Sequence, residues 1–315
     1  MGKKIAIVGA GPAGLAAARK LLPAGFSVDI YEKEAIGGGV MAFGIPEFRI
    51  TKANVERQVE QVKALGANFK FNQNLKESDF VRLSKEYDYV FLAFGLTKVR
   101  KLGIPGEELP EALDALDFLR DFNFAHKMEM YQERLPKLHG TAVVVGAGNV
   151  AMDGARVALR CGAEKVYIAY RRSIDEVPCT KAELNETIEE GVECKFLTNP
   201  VEILGTDHVT GVKCEIMELG EPDASGRRSP VGTGKYTTID CDYVIAAIGQ
   251  IPDKSIYDAN VIKNDKGYVV AVDGAYQTSI PNVYTGGDIL LGAKTIGAAV
   301  KCGNDFAKIV LEANN

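Results

Sequence analysis

Apolar residues in this chain come in short continuous blocks that end at glycines. Residues 3–8, KKIAIV, form a β-branched block that enters Gly9, Gly11 and Gly14, and AGLAAARKLL after them carries a helical period. SVDIYE follows as a strand ending at Glu32, so the pattern predicts strand, tight turn, helix, strand. Residues 51–66 read as a helix, with strands at 67–71 and 88–94. KLGIPGEELP, residues 101–110, concentrates turn formers and marks a boundary, and 111–135 is charged and amphipathic, as expected of a helical connector. At Thr141 the pattern restarts: TAVVV, then Gly146, Gly148 and Ala151, a helix to about Arg160, and the strand KVYIAYRR. A strand pair is expected over 192–217, and EPDASGRRSPVGTG as an exposed, mobile hairpin tip without a catalytic role. DYVIAAIG (242–249) echoes DYVFLAFG, so the two halves look related. NVYTGGD is a strand ending at Asp288, and 295–311 forms a helix expected to pack through Ile296, Val300, Phe306 and Val310.

Length agrees with this doubling, since 315 residues suit two domains of about 150 each. The 33 glycines exceed the share of about 7% in average usage, which directs attention to glycine loops. With a net charge of -5 and both signs interspersed, no basic stripe points to nucleic acid or anionic lipid. No apolar run approaches the roughly 20 residues that span a bilayer, and a cytoplasmic protein is expected. Cys161, Cys179, Cys194, Cys214, Cys241 and Cys302 are scattered, with no spacing for zinc or an iron–sulfur cluster and no pair to relay electrons as a dithiol. Cys179 has no resolving partner nearby, and His126, His139 and His208 share no ligand spacing, so no metal is expected.

The chemistry lies in the two glycine turns. In the first, Gly9 permits the tight turn, Gly11 lets backbone approach a pyrophosphate, and Gly14 allows close helix–strand packing, while Pro12 and Ala13 open a helix whose N-terminus carries partial positive charge. Glu32 lies about 20 residues on, the interval at which an acid meets an adenosine ribose, with Lys33 beside it. The second turn, with Gly146, Gly148, Asn149 and Val150, replaces that acid by Tyr170-Arg171-Arg172. A carboxylate there would repel a ribose 2′-phosphate, whereas one or two guanidiniums can bind it, so NADPH is expected over NADH. The alternative is a solvated arginine pair at a strand end. Gly287 and Asp288 suit contact with ribityl or phosphate-linked hydroxyls, the helix N-terminus near Thr295 suits charge developing on a reduced flavin, and a plain turn aspartate is the alternative. Gly95 and Gly249, closing the two echoing strands, complete the candidate cofactor contacts.

With GAGPAGL, IGGGVMAFGIPEFRI, GAGNVAMD, YRRS, LGEPDASGRR, AAIGQIPD and TGGD, the chain resembles the small (beta) subunit family of glutamate synthase from near residue 3 to its last helix. It is also similar to the flavin modules of dihydropyrimidine dehydrogenase and of NADH-dependent ferredoxin:NADP oxidoreductase. The resemblance implies an α/β fold of two Rossmann-like domains of the pyridine-nucleotide disulfide-reductase type, with a discontinuous FAD domain (1–110 and 268–315), a connector (111–140) and an NADPH domain (141–267). It implies FAD on Gly9, Gly11, Gly14, Glu32, Gly38 and Asp288, and NADPH on Gly148, Asn149, Arg171 and Arg172. Relatives of this type carry a cysteine-rich N-terminal extension that binds iron–sulfur clusters. This sequence opens at the flavin strand, so clusters are expected on another polypeptide.

The expected activity is that of an FAD oxidoreductase that takes hydride from NADPH, with no acid–base residue required, and passes electrons to a glutamate-synthase-like large subunit or an iron–sulfur protein. A stand-alone NADPH:ferredoxin or quinone reductase and a non-catalytic dinucleotide sensor are the alternatives. A disulfide reductase is disfavoured by the missing cysteine pair.

Overall fold

KIAIV and TAVVV each become the central strand of a five-stranded parallel sheet. The computed structural model describes residues 2–224, 226–253, 255–256, 269–272 and 275–314. The chain divides into two compact units: Met1–Phe43 with Glu47–Lys98 and Gln250–Asn315, and Gly44–Pro46 with Val99–Gly249.

In the first unit, β1 (Lys4–Val8), β2 (Ser27–Tyr31), β3 (Asn68–Lys70), β4 (Tyr89–Leu92) and β15 (Val283–Thr285) pair in the order β15-β4-β1-β2-β3, all parallel. A parallel sheet is covered on both faces, and successive residues of β1 serve opposite cores. Ile5 and Ile7 face a cluster containing Leu15, Phe91 and Phe306, while Ala6 and Val8 face one containing Phe80, Leu83 and Leu92. The C-terminal segment thus returns to the first unit: β15 extends the sheet, and α9 (Ile296–Glu312) lies on α1 (Pro12–Leu21). Their approach is close because a Cβ on Gly303 would stand 2.1 Å from the Ala13 carbonyl oxygen. Ala299, Cys302, Phe306, Ala307 and Val310 form the buried face, whereas Ile296, expected to pack there, is exposed at the helix start.

In the second unit, β6 (Ala112–Asp114), β7 (Thr141–Val145), β8 (Lys165–Tyr170), β9 (Glu193–Phe196) and β13 (Tyr243–Ala246) pair in the order β6-β13-β7-β8-β9. The two sheets share one layout in which only the outermost strand differs in origin, from the chain's end in the first and from ahead of the central strand in the second. Val143 and Val145 pack against an antiparallel sheet of β10 (Thr198–Gly205), β11 (Val209–Pro222) and β12 (Arg228–Asp240). The helices are α5 (Ala115–Lys127), α6 (Asn149–Arg160) and α7 (Lys181–Glu189).

Three expectations change. Residues 111–140 are no free connector, because β6 pairs with β13 through Ala112↔Val244 to Asp114↔Ala246 and Asp114 then caps α5. The compact units part between Lys98 and Val99 and again after Gly249, where the sequence places domain limits at 110 and 267; the expected return point at 268 lies outside the described residues. The predicted tip at 221–234 is mostly ladder: β12 starts at Arg228, and Pro222 pairs with Arg228.

Candidate functional site

The carboxyl ends of β1, β2, β4 and β15 gather the first set of predicted residues. Gly9 sits at φ +109°, donates to the Tyr31 carbonyl at 2.8 Å, and is backed so closely by β4 that a Cβ would stand 2.4 Å from the Ala93 carbonyl oxygen. Gly14 lies over the same turn, where a Cβ would meet the Gly9 carbonyl oxygen at 2.1 Å. The chain's own packing thus demands both glycines. Glu32, 5% exposed, accepts from the Ala10 N–H at 2.8 Å and the Glu34 N–H at 2.9 Å. Burial pushes its carboxyl above the usual range, against the two N–H groups that favour the charge. Lys33 pairs with Glu34 at 3.5 Å.

The loop after β2 folds back onto the turn. Gly38, at φ +114°, donates to the Ala10 carbonyl at 2.8 Å, and Gly39 backs Gly11. Gly95 and Gly287 also have positive φ, +66° and +73°. A Cβ on Gly287 would lie 3.3 Å from that of Ala13, so Asp288 starts its short helix α8 (Asp288–Leu291) beside the residues that open α1. Burial raises the Asp288 carboxyl to about 6, with the Lys294 N–H opposing. Thr295 caps α9, accepting from the Ala298 N–H at 3.2 Å.

The second turn repeats this construction. Gly146 has φ +125°, donates to the Ala169 carbonyl at 3.0 Å, and a Cβ there would stand 2.5 Å from the Ala247 carbonyl oxygen. Gly249 (φ +109°) stands to Ala247 as Gly95 stands to Ala93. Hydrogen-bond register gives one further result: Ala169 matches Tyr31, so Tyr170 occupies the position of Glu32, and its hydroxyl donates to the Glu176 carbonyl at 2.7 Å. Arg171 is exposed and Asn149 opens α6, exposed. Arg172 is buried at 8% exposure; its Nε donates to the Arg228 carbonyl at 2.9 Å and its Nη2 to Asp223 at 2.6 Å. Of the expected pair, Arg171 alone has no hydrogen-bond or ion-pair partner among the described residues. Asp223 and Leu197, which together hold Arg172, carried no local sequence signal.

Gly11 and Gly148 are different from the other turn glycines. Their φ values, −79° and −83°, suit any residue. A Cβ at Gly148 meets nothing within 4 Å, and at Gly11 only the Gly39 Cα at 3.9 Å. Nothing in the polypeptide requires glycine at either place, so the open space in front of them fits a ligand that approaches the backbone. Both α1 and α6 also begin without a side-chain cap or a first-turn acid, leaving N–H groups and partial positive charge for a phosphate.

Burial raises Cys161, Cys214 and Cys241 to about 12, and all six cysteines are free thiols. Among the described residues, no cluster of His, Cys, Asp or Glu could hold a metal, and no helix is long and apolar enough to cross a membrane.

Two glycine turns on two matching parallel sheets define a protein of the double dinucleotide-fold oxidoreductase class. The chain belongs to the pyridine nucleotide-disulphide oxidoreductase family, whose profile matches residues 3–303. It is 41% identical over 312 residues to the NADP(+)-dependent formate dehydrogenase subunit beta of Moorella thermoacetica, covering 97% of this chain and 43% of that one. The expected kinship with glutamate synthase is met by 37% identity over 319 residues to the glutamate synthase (NADPH) small chain of Halomonas elongata, covering 98% and 68%. The chain thus spans less than half of the first relative's length. In fold it is similar to Mycobacterium tuberculosis FprA in complex with NADPH, with a TM-score of 0.82 at 24% identity, covering 99% of this chain and 84% of that one.

Proposed function

We propose that the first unit binds FAD and the second NADPH, and that the chain is the electron-entry module of an NADPH oxidoreductase of the glutamate synthase small-subunit kind. The observation that carries this reading is the pair Gly11 and Gly148, each glycine without an internal reason and each opening an uncapped helix. The strand ends separate the two ligands. Glu32 keeps a lone pair on each oxygen for ribose hydroxyls after its two backbone contacts, whereas Tyr170 puts no carboxylate at the matching position and the exposed Arg171 suits a 2′-phosphate.

Bound FAD supplies a carrier that accepts hydride from NADPH and releases electrons singly or in pairs. The chain's part is binding and orientation. Amides of Pro12-Ala13-Gly14 and of Asn149 and Val150 receive the two pyrophosphates, with proline contributing no N–H, and Asp288 accepts from hydroxyls on the flavin side. Gly38, Gly95, Gly249 and Gly287 hold backbone turns that other residues would strain. No acid or base of the chain is needed. The names of the formate dehydrogenase and glutamate synthase relatives, a subunit beta and a small chain, support transfer to a partner subunit or iron–sulfur protein, and the proposed location is the cytoplasm.

The test is the visible spectrum of the purified protein before and after anaerobic addition of NADPH or NADH. The expected result is a flavin spectrum that bleaches at lower NADPH than NADH. A colourless protein that FAD does not reconstitute, or a flavin that neither nucleotide reduces, would overturn the proposal.

A further inference from the structure

Arg171 and Arg172 are neighbours in sequence with opposite fates in the fold. Arg172 is fixed at three points. Its carbonyl accepts from the Leu197 N–H at 3.0 Å, its Nε donates to the Arg228 carbonyl at 2.9 Å, and its Nη2 pairs with Asp223 at 2.6 Å. Leu197 is one of two non-glycine residues with positive φ among the described residues (+52°), and its carbonyl accepts from Met217 of β11 at 2.8 Å. A leucine held in that region is strained and persists where surrounding contacts over-determine it. The loop on the other side is equally tied: Tyr170 donates to the Glu176 carbonyl, and Ser173 N–H and Oγ both donate to the Glu176 carboxylate.

Between these anchors, Arg171 is exposed and has no hydrogen-bond or ion-pair partner among the described residues. We infer that Arg172 and Asp223 form a clamp that pins the β11–β12 hairpin to the end of β8 and so positions Arg171 as the single guanidinium that selects the 2′-phosphate. This inference rests on the proposed use of NADPH. Asp223 is a positioning residue in it: its carboxylate neutralises the buried Arg172, which would otherwise be a costly unpaired charge and a competing phosphate ligand. The hairpin is thus part of the nucleotide site without touching the nucleotide.

The sign of one effect separates the clamp from its opposite. Charge-assisted hydrogen bonds of about 1.5–3 kcal/mol convert to roughly a tenfold to hundredfold change in binding. Arg171→Ala should raise the KM for NADPH by that factor and remove most of the preference over NADH. Asp223→Asn should raise the KM for NADPH by a smaller factor, with kcat held within about twofold, and speed amide hydrogen exchange at Met217 and Leu197, whose N–H groups report the junction. If Asp223→Asn instead lowers the KM for NADPH, Arg172 is the phosphate ligand and Asp223 its competitor, and the inference is overturned; an unchanged KM and exchange rate overturns it too. A wild-type protein with no preference for NADPH would overturn the NADPH reading itself, while the exchange rates still decide whether the clamp exists.

Discussion

Glu32 reaches back across the first glycine turn and accepts the Ala10 N–H at 2.8 Å, with its other oxygen on the Glu34 N–H. The same carboxylate therefore shapes the turn and faces the proposed ribose. Glu32→Ala would leave the buried Ala10 N–H unpaired, at about 1–3 kcal/mol, and take the acceptor from the half-buried Glu34 N–H as well. The expected outcome is a lower Tm without cofactor together with loss of bound flavin. Glu32→Gln keeps one acceptor oxygen and should lose less of both. Thermal melts with and without added FAD measure the two effects separately.

Asp288 gives the site a pH dependence. Its carboxyl is raised by burial from 3.8 to about 6, so the folded chain holds the proton more tightly than the unfolded chain. Below the lower value both states are protonated and the group contributes nothing; as pH rises to about 6 the cofactor-free protein loses stability, by about 3 kcal/mol at most if the whole shift is expressed. Cofactor hydroxyls donating to the ionised group would favour its charge. FAD affinity should accordingly rise between about pH 5 and 7, and Asp288→Asn should flatten both the stability curve and the affinity curve. Melting temperature and flavin titration across this range provide the check.

The thiols should be inert. Cys214 and Cys241 are buried and raised to about 12, and Cys161 is raised equally, so at neutral pH they are protonated and poor nucleophiles. Reaction of native protein with a thiol reagent should be far slower than after unfolding, and Cys179→Ala should retain NADPH-dependent flavin reduction. A fast native thiol whose modification stops reduction would restore a disulfide mechanism to consideration.

What could be read from the sequence followed from locality. KIAIV-GAGPAG and TAVVV-GAGNVA each hold strand, turn and helix within one short stretch, and their apolar runs belong to strands buried on both faces. Features set by distant pairing were hidden. ALDALDFL carries a helical period throughout, so nothing local separates Ala112–Asp114 as a strand; its partner β13 lies over 100 residues on. The helix Glu77–Glu86, with only Phe80 and Leu83 deeply buried among its apolar residues, was not marked by a strong stripe. Arg171 and Arg172 look alike in sequence, and only Asp223, on the far hairpin, tells them apart. Gly11 and Gly148 were legible as parts of a motif, but their lack of any internal constraint became visible only with neighbouring atoms in place.

The most direct measurement is the flavin content and NADPH response of Gly11→Val and Gly148→Val beside the wild type. Both positions have ordinary φ values, and a Cβ meets no closer neighbour than 3.9 Å at Gly11 and none within 4 Å at Gly148, so the first side-chain atom fits at both, and a circular-dichroism melt checks that each valine variant folds. The account predicts that Gly11→Val is folded and colourless, and that Gly148→Val keeps a full complement of FAD that NADPH no longer bleaches. Full flavin in Gly11→Val, or flavin lost from Gly148→Val with NADPH binding intact, would contradict the assignment of the two sites.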